Sequence, residues 1–345
     1  MTFRPPRIPR LNSALGAELR ARIDGMAKPP GSLGRLEDLA MQIGRAQGRL
    51  DPRMERVRAY VFAGDHGLNA EGVSAYPSAV TAAMVATFLA GRASVNALAR
   101  ACDVEVAVVD AGVDADLPAH PALLDRKVRR GSRNAAVEPA LTTAEVKAAL
   151  DAGVLLASEA AAEDVDALIL GEMGIGNTAS AALVMSRLAP APLADCIGPG
   201  AGHDAEGLAR KAAVLGRAAA RCAPDDPLEV LAEFGGLEIT MMAGALLGAA
   251  AVRRIVVVDG FIATAAALAA IRLAPLAQDY CVFAHVSAER GHALMLEALG
   301  AQPLLSLGMR LGEGTGGVLT APLLRSACRM LADVASLEDV LAGRL

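Results

Sequence analysis

From residue 57 onward, short apolar runs rich in β-branched residues alternate with longer segments rich in Ala and Leu. The predicted strands are Val57–Ala63, Val104–Val109, Val165–Leu170, Arg254–Val258, Tyr280–Ala284 and a weaker run at Leu304–Leu307. These runs are apolar at consecutive positions, which indicates burial on both faces, as in a parallel sheet. We therefore predict an α/β fold with a doubly wound, mostly parallel sheet and right-handed crossovers.

The segments between the runs have the spacing of helices. The predicted helices are 35–46, Thr81–Ala101, Thr143–Glu163, Thr178–Leu188, Ala205–Arg221, Leu237–Arg253, Ile262–Leu273 and Ala288–Leu299. Aromatic residues make up only 3% of the chain and Trp is absent, so Ala, Leu and Val must fill the core. Such small core residues favour helices that pack closely on the sheet. Residues 1–50, with the Pro- and Gly-rich stretch Lys28–Gly34, precede the first strand and are expected in a smaller domain.

Composition and charge exclude several classes of function. The chain has 345 residues, 54% of them hydrophobic, and a net charge of −5. It has no basic stripe and few aromatic residues for stacking bases, which argues against nucleic-acid binding. The five cysteines are scattered without a CxxC pair, which indicates reduced thiols in a cytoplasmic protein. The apolar segments 237–252 and 255–271 are short and contain Glu238 and Asp259, so we predict no membrane span.

Polar residues and glycines directly follow the predicted strands. The exits are Gly64–Gly67, Asp110–Gly112, Gly171–Thr178, Asp259–Phe261, His285–Glu289 and, after the weak run, Arg310–Gly317. In open α/β sheets, ligands bind beyond the carboxyl ends of the strands. These exits therefore predict one site, with carboxylates and glycines around its rim.

The exit at Gly171–Thr178 reads as a strand, a Gly-rich turn and then a helix. Backbone N–H groups at a helix start attract phosphate, and glycine lets the backbone approach the anion closely. The alternative is a tight turn that uses glycine only for its positive φ. The turn has neither the Gly-Lys-Ser/Thr of a Walker loop nor the glycine spacing of a dinucleotide fingerprint.

Two carboxylates are candidates for the chemistry. Glu313 stands between glycines and Glu172 stands in the Gly-rich turn, so one could take a proton while the other holds hydroxyl groups. The alternative for each is an ordinary loop glutamate. No helical spacing pairs Asp65, His66, His285 or His292 as metal ligands, so we expect no metal site.

Several long motifs stand in the order of one known family. They are KPPGSLGRLEDLA at 28–40, FAGDHGL at 62–68, GVSAYP at 72–77, GEMGIGNTASAAL at 171–183, EFGGLEI at 233–239, VVDGFI at 257–262, HVSAERGH at 285–292 and RLGEGTGG at 310–317. Over nearly its whole length the chain resembles nicotinate-nucleotide–dimethylbenzimidazole phosphoribosyltransferase. The resemblance implies a Rossmann-like large domain at 51–317. It also implies a small helical domain from 1–50 and about 318–345, and a homodimer.

The resemblance also implies a reaction and a set of roles. A benzimidazole nitrogen displaces nicotinate from C1′ of nicotinate mononucleotide, with Glu313 as general base and no cofactor. Glu172 is expected at the ribose. The implied phosphate ligands are Gly174, Ile175, Gly176, Asn177, Gly260 and Ser287, with Lys211 also matching the family. The implied base-site residues are Ser74, Tyr76, Ser78 and Ala82, and Leu311 is expected to bind a substrate.

The chain departs from the family at several of these places. Ser78 and Ala82 stand where glutamine is usual, Arg290 stands where proline is usual, and Gly198–Asp204 replaces a Gly-Arg-Gly-Thr-Gly-type run. The small residues at 78 and 82 predict a roomier base pocket that accepts several benzimidazoles.

Two other functions are compatible with the sequence. The run ending at Asp259 loosely resembles the acidic loop of transferases that use phosphoribosyl pyrophosphate, but it lacks the second adjacent acid. A non-catalytic protein that only binds a nucleotide is the other alternative.

Overall fold

One parallel sheet organises the protein. The computed structural model describes residues 2–189, 191–200 and 202–344. In this part of the chain the sheet has six strands in the order β3-β2-β1-β4-β5-β6, all parallel. The strands are β1 Val57–Gly64, β2 Glu105–Gly112, β3 Leu123–Asp125, β4 Ala167–Met173, β5 Ile255–Val258 and β6 Cys281–Phe283. The predicted doubly wound α/β fold is confirmed.

Helices connect the strands and cover the sheet. They are α1 Ser13–Asp24, α2 Arg35–Gln47, α3 Ala79–Leu89, α4 Ser94–Ala101, α5 Thr143–Ala162, α6 Asn177–Leu188, α7 Leu193–Cys196, α8 Ala205–Arg221, α9 Pro227–Phe234, α10 Leu237–Ala251, α11 Phe261–Leu273, α12 His292–Ala298, α13 Thr315–Asp333 and α14 Leu337–Leu341. Short 3₁₀ segments lie at Gly67–Glu71 and Pro275–Tyr280.

The core is built from small side chains at close approach, as the composition predicts. Helix α10 is buried along nearly its whole length and packs against α5, α11 and the central strands. A Cβ at Gly153 of α5 would overlap the Met241 carbonyl oxygen, and one at Gly244 would overlap the Leu150 carbonyl oxygen. Glycine at these positions lets the two helix backbones lie almost in contact, which larger residues would prevent.

The prediction of a strand at Leu304–Leu307 is wrong. Leu305 makes only an isolated parallel bridge to His285, since Ser306 and Gly308 interrupt the apolar pattern. The sixth strand is instead β3, at the opposite edge of the sheet. Its three residues are too few for a recognisable pattern.

The prediction of one helix over Thr81–Ala101 is also wrong. The chain forms α3 and α4, separated by a turn in which Gly91 takes φ +69°. As a single helix, residues 79–101 would be long and apolar enough to cross a membrane. The turn divides this segment into pieces of 11 and 8 residues, each shorter than a span requires.

The chain termini pack together. Helices α1 and α2 contact each other, and α2 packs against α13. Near the C-terminus, Ala27 donates its N–H to the Ala335 carbonyl, and Met26 forms a bridge with Ser336. Helix α13 also packs against β1, β4 and α4. The division into a small domain at 1–50 and 318–345 and a large domain at 51–317 stays a prediction.

The strand order places the site. The direction of winding reverses between β1 and β4, so the loops after these two strands leave the sheet on opposite sides. The resulting crevice lies at the carboxyl ends of the strands, where the polar exits were predicted to converge.

Candidate active site

A cavity of about 440 Å³ opens at the carboxyl ends of β4, β5 and β6. Nine of the predicted site residues line it: Tyr76, Glu172, Gly174, Ile175, Asn177, Gly260, Ser287, Leu311 and Glu313. A smaller cavity of about 50 Å³ adjoins it and is lined by Ser74 and Gly176, together with Gly174, Ile175 and Asn177. The volume of the larger cavity suits a small-molecule ligand.

The Gly-rich turn between β4 and α6 forms the floor of both cavities. A Cβ at Gly174 would overlap the Gly64 carbonyl oxygen, so only glycine lets the turn lie this close to β1. Gly176 takes φ +93°, and the Ile175 N–H donates to Thr81 Oγ1 at 3.1 Å. The Asn177 and Ala179 N–H groups donate to the Gly174 and Gly176 carbonyls. The start of α6 lies at the cavity wall, where the positive end of the helix dipole suits an anion.

Lys211 supports the start of α6 from the side away from the cavities. Its Nζ donates to Thr178 Oγ1 at 2.9 Å and to the Gly198 carbonyl at 3.0 Å. The side chain is buried and lines neither cavity. Burial lowers the pKa of Lys211 to about 8, while the nearby Glu289 carboxylate acts in the opposite direction.

Glu313 is buried at the cavity wall, directly before α13. The Val95 N–H, in the first turn of α4, donates to its Oε2 at 3.0 Å. Burial raises the pKa of Glu313, and the hydrogen bond from Val95 partly offsets this. A carboxylate with one oxygen held and a raised pKa is suited to accept a proton.

The fold brings Glu172, at the end of β4, close to Glu313. It accepts a hydrogen bond from Asn177 Nδ2, and a Cβ at Gly312 would overlap its Oε1. Burial raises the pKa of Glu172 to about 8, and the hydrogen bond from Asn177 opposes this shift only in part. The neighbouring carboxylates of Asp259 and Glu313 raise it further. Glu172 is therefore mostly protonated at neutral pH and can donate a hydrogen bond into the cavity.

Ser287 is held by a buried histidine. The Ser287 N–H donates to His292 Nδ1 at 2.8 Å, which leaves His292 Nε2 to donate to Thr264 Oγ1 at 2.9 Å. Burial lowers the pKa of His292 to about 3, and the neighbouring His285 lowers it further. His292 is thus neutral and acts as a fixed spacer between α11 and the Ser287 loop.

A buried ion pair lies beneath the Gly-rich turn. His66 Nε2 is 2.6 Å from Glu238 Oε1, and His66 Nδ1 is 2.9 Å from Ser180 Oγ on α6. Burial acts to lower the pKa of His66, but the Glu238 carboxylate raises it and the net shift is upward. Neither residue lines the cavities, so this pair supports the turn from below.

Ser78 and Ala82 do not line either cavity, contrary to the expectation that they border the base pocket. Val80 and Met84 line it instead. Positions two residues apart lie about 200° around a helix from each other. When Val80 and Met84 face the cavity, Ser78 and Ala82 therefore face away from it. Ser78 Oγ accepts a hydrogen bond from Asn69 at 3.0 Å.

The unusual segment Gly198–Asp204 lies over the start of α6. His203 Nε2 donates to the Val73 carbonyl at 2.8 Å, and Arg310 donates to the Gly200 carbonyl at 3.3 Å. Ala201 lies outside the described residues. Arg290, the other departure, forms an exposed ion pair with Asp195.

Some lining residues were missed by the sequence reasoning. Asp259 and His285 line the cavity, as their positions directly after strand runs predict, but on the sequence alone Asp259 had no assigned role, and His285 was assigned only hydrogen bonding at a strand end or helix capping. Val80 and Met84 share one helix face, which their spacing of four could have indicated. The contact of Val95 with Glu313 had no signal in the sequence, because it joins residues 218 positions apart.

Known proteins are similar to this chain along almost its whole length. A family model described as phosphoribosyltransferase matches residues 8–341. A relative from Cupriavidus necator, named nicotinate-nucleotide–dimethylbenzimidazole phosphoribosyltransferase, is 52% identical over 332 residues, or 96% of each chain. This chain belongs to that family. A relative of the same name from Roseiflexus sp. strain RS-1 is 48% identical over 335 residues, or 96% of this chain and 95% of its own.

The fold of this phosphoribosyltransferase also matches a solved structure. The crystal structure of CobT from Thermus thermophilus superposes with a TM-score of 0.91 at 46% identity, covering 95% of this chain and 98% of that one. The predicted membership of the phosphoribosyltransferase family is therefore confirmed.

Proposed function

We propose that this phosphoribosyltransferase moves the 5-phosphoribosyl group from nicotinate mononucleotide to 5,6-dimethylbenzimidazole, giving α-ribazole 5′-phosphate and nicotinate. The reaction belongs to assembly of the nucleotide loop of cobalamin. The observation that carries the proposal is the position of Glu313. Its buried carboxylate faces the same cavity as the start of α6.

The donor nucleotide lies along the floor of the cavity. Its 5′-phosphate binds at the Gly174–Asn177 turn, at the positive end of the α6 dipole, with Gly260 and Ser287 as further phosphate ligands. Lys211 does not touch the phosphate. It holds Thr178 and the Gly198 carbonyl, and its charge favours an anion at the start of α6. Glu172, mostly protonated, donates to a ribose oxygen.

The transfer needs one proton acceptor. A benzimidazole nitrogen attacks C1′ while the bond from C1′ to the pyridinium nitrogen breaks, and the bonding pair goes to the departing nicotinate. The attacking base becomes acidic at its other nitrogen, and that proton goes to Glu313. Val95 holds Glu313 Oε2, so Oε1 is the oxygen that accepts the proton.

The base lies between α3 and the Leu311 loop. Val80, Met84 and Tyr76 provide an apolar wall there. An apolar pocket discriminates one methylene by only about 1–3 kcal/mol. The enzyme therefore accepts several benzimidazoles with modest preferences. Val80 and Met84, and not Ser78 and Ala82, determine these preferences.

We also propose that the enzyme is a cytoplasmic homodimer. Tyr76 and Leu311 are 48% and 56% exposed although they line the cavity, and Leu307, in the same loop as Leu311, is 60% exposed. A second protomer that covers these side chains would remove an apolar patch from water.

One assay tests the proposed function. The protein is mixed with nicotinate mononucleotide and dimethylbenzimidazole in the presence of a chelator, and nicotinate release is followed by chromatography. Release that depends on the base supports the proposal. Activity only with phosphoribosyl pyrophosphate and Mg²⁺ would instead establish the pyrophosphate-dependent transferase. Binding of the nucleotide without turnover with any base would establish a binding protein.

A further inference from the structure

The turn that carries Glu313 has an unusual backbone. Gly312, Glu313 and Gly314 take φ values of +84°, +63° and +86° in succession. The other non-glycine residues with positive φ, among those described, are Asp103, Asp164 and Arg253, each just after a helix end. Left-handed residues are common there. Glu313 instead precedes a helix, so its conformation needs support from outside the turn.

Strand β4 provides part of that support. A Cβ at Gly171 would overlap the carbonyl oxygen of Glu313, so the turn rests directly on the bare backbone of β4. This contact sets the depth of the turn above the sheet. It does not set the direction in which α13 leaves, because a backbone contact without a hydrogen bond is not directional.

Asp259 provides the directional contact. Its Oδ2 accepts the Gly314 N–H at 3.2 Å, and its Oδ1 accepts the Gly317 N–H at 2.8 Å. Both donors lie at the start of α13, where N–H groups have no intrahelical acceptors. The carboxylate thus caps α13 from β5, and one of its bonds is to the residue directly after Glu313.

His285 lies beside Asp259. Its Nε2 lies 3.7 Å from Asp259 Oδ1, and both side chains are buried. A Cβ at Gly316 would overlap the His285 ring, so glycine at 316 lets the imidazole reach the carboxylate beside α13. Asp259 therefore accepts two backbone N–H groups and has an imidazole beside it, which leaves its carboxylate little room to turn.

We propose that Asp259 is a positioning residue that holds the strained Glu313 turn and thereby aims the Glu313 carboxylate at the acceptor base. This proposal rests on the proposed function. An asparagine at this position cannot replace Asp259. Each carboxylate oxygen of Asp259 accepts one backbone N–H, whereas an asparagine would turn its NH₂ group, a donor, toward one of these two N–H donors.

The test is a double-mutant cycle with Asp259→Asn, Glu313→Gln and the double variant. Asp259→Asn is expected to lower kcat about 10²-fold, as displacement of a reacting group by about 1 Å can do. The KM for nicotinate mononucleotide should change less than about 2-fold. Because Asp259 acts through Glu313, the double variant should be no slower than Glu313→Gln alone.

Asp110→Asn is the matched control. Asp110 also lies at a strand end, is equally buried and accepts a backbone N–H, from Val113 at 3.0 Å, but it does not line the cavity. This variant should keep wild-type kcat. Normal kcat in Asp259→Asn, or losses that multiply in the double variant, would overturn the proposal. Full activity of Glu313→Gln itself would overturn the proposed base instead, which separates the two failures.

A measurement on the wild-type protein covers the case in which Asp259→Asn does not fold. Hydrogen exchange by NMR should show the Gly314 and Gly317 amides protected, although first-turn amides of a helix normally exchange fast. Exchange at both amides as fast as in an unfolded peptide would show that Asp259 does not hold the turn.

Discussion

At the scale of the residue, Glu313 determines the chemistry. Glu313→Gln should leave the fold intact and lower kcat by about 10²–10⁴-fold, because an amide cannot accept the proton of the attacking base. Burial raises the pKa of Glu313, so wild-type kcat should rise with pH through an apparent pKa above the ordinary value of 4.5 for glutamate. The pH profile of kcat measures this. A variant that keeps near-normal turnover would remove Glu313 from the mechanism.

Glu172 should control how stability depends on pH. Its pKa is about 8 in the folded protein, against an ordinary value of 4.5. Because the pKa is raised in the folded state, the contribution of Glu172 to the free energy of unfolding is fully present below pH 4.5 and is lost as the pH rises through 8. Between these values the free energy of unfolding falls by up to about 1.4 kcal/mol per pH unit.

The variant Glu172→Gln tests this by chemical denaturation at several pH values. Glutamine is neutral throughout and can still accept from Asn177, so the variant should lose less stability than the wild type between about pH 5 and 9. Equal pH dependence in the two proteins would mean that Glu172 is ionised in the folded state.

At the scale of the element, the start of α6 is the predicted phosphate site, and Lys211 is its electrostatic support. Lys211→Met should raise the KM for nicotinate mononucleotide about tenfold or more, since it removes a buried positive charge and frees the Gly198 loop. The KM for the base should be little changed. Steady-state kinetics with each substrate varied in turn gives both values.

Lys127→Met is the control for this prediction. Lys127 also holds loop carbonyls, those of Val113 and Ala115, but it lies outside the cavity lining. It should keep the wild-type KM for the nucleotide. If both variants raise this KM equally, Lys211 has only a general structural effect.

At the scale of the whole molecule, the proposed homodimer can be disrupted at Leu307. Leu307→Glu should shift the sedimenting species from twice the 35.2 kDa chain mass toward the monomer, because a charge would be buried in the interface. Val137→Glu, at a position 68% exposed and outside the cavity lining, should remain dimeric. A wild-type protein that sediments as a monomer at micromolar concentration would contradict the proposed assembly.

The main strands and the position of the site could be predicted because each depends on local pattern. Unbroken apolar runs such as Val165–Leu170 indicate strands buried on both faces, and parallel strands bring their carboxyl ends to one edge. Gly171–Thr178 could thus be assigned to the site before any contact was known. Arg310–Gly317 was assigned to the same site through the run Leu304–Leu307, which is not a strand. The length of the motifs was enough to indicate the family.

The tertiary structure alone decided which side chains meet. Helix α3 turns Val80 and Met84 toward the cavity and Ser78 and Ala82 away, a choice set by how the helix packs on the strand ends. The contacts of Glu313 with Val95 and of Asp259 with Gly314 join residues 218 and 55 positions apart. Local propensity carries no information about such pairs. They exist because the parallel sheet brings distant loops to one edge, where burial also sets the pKa values on which the proposed chemistry depends.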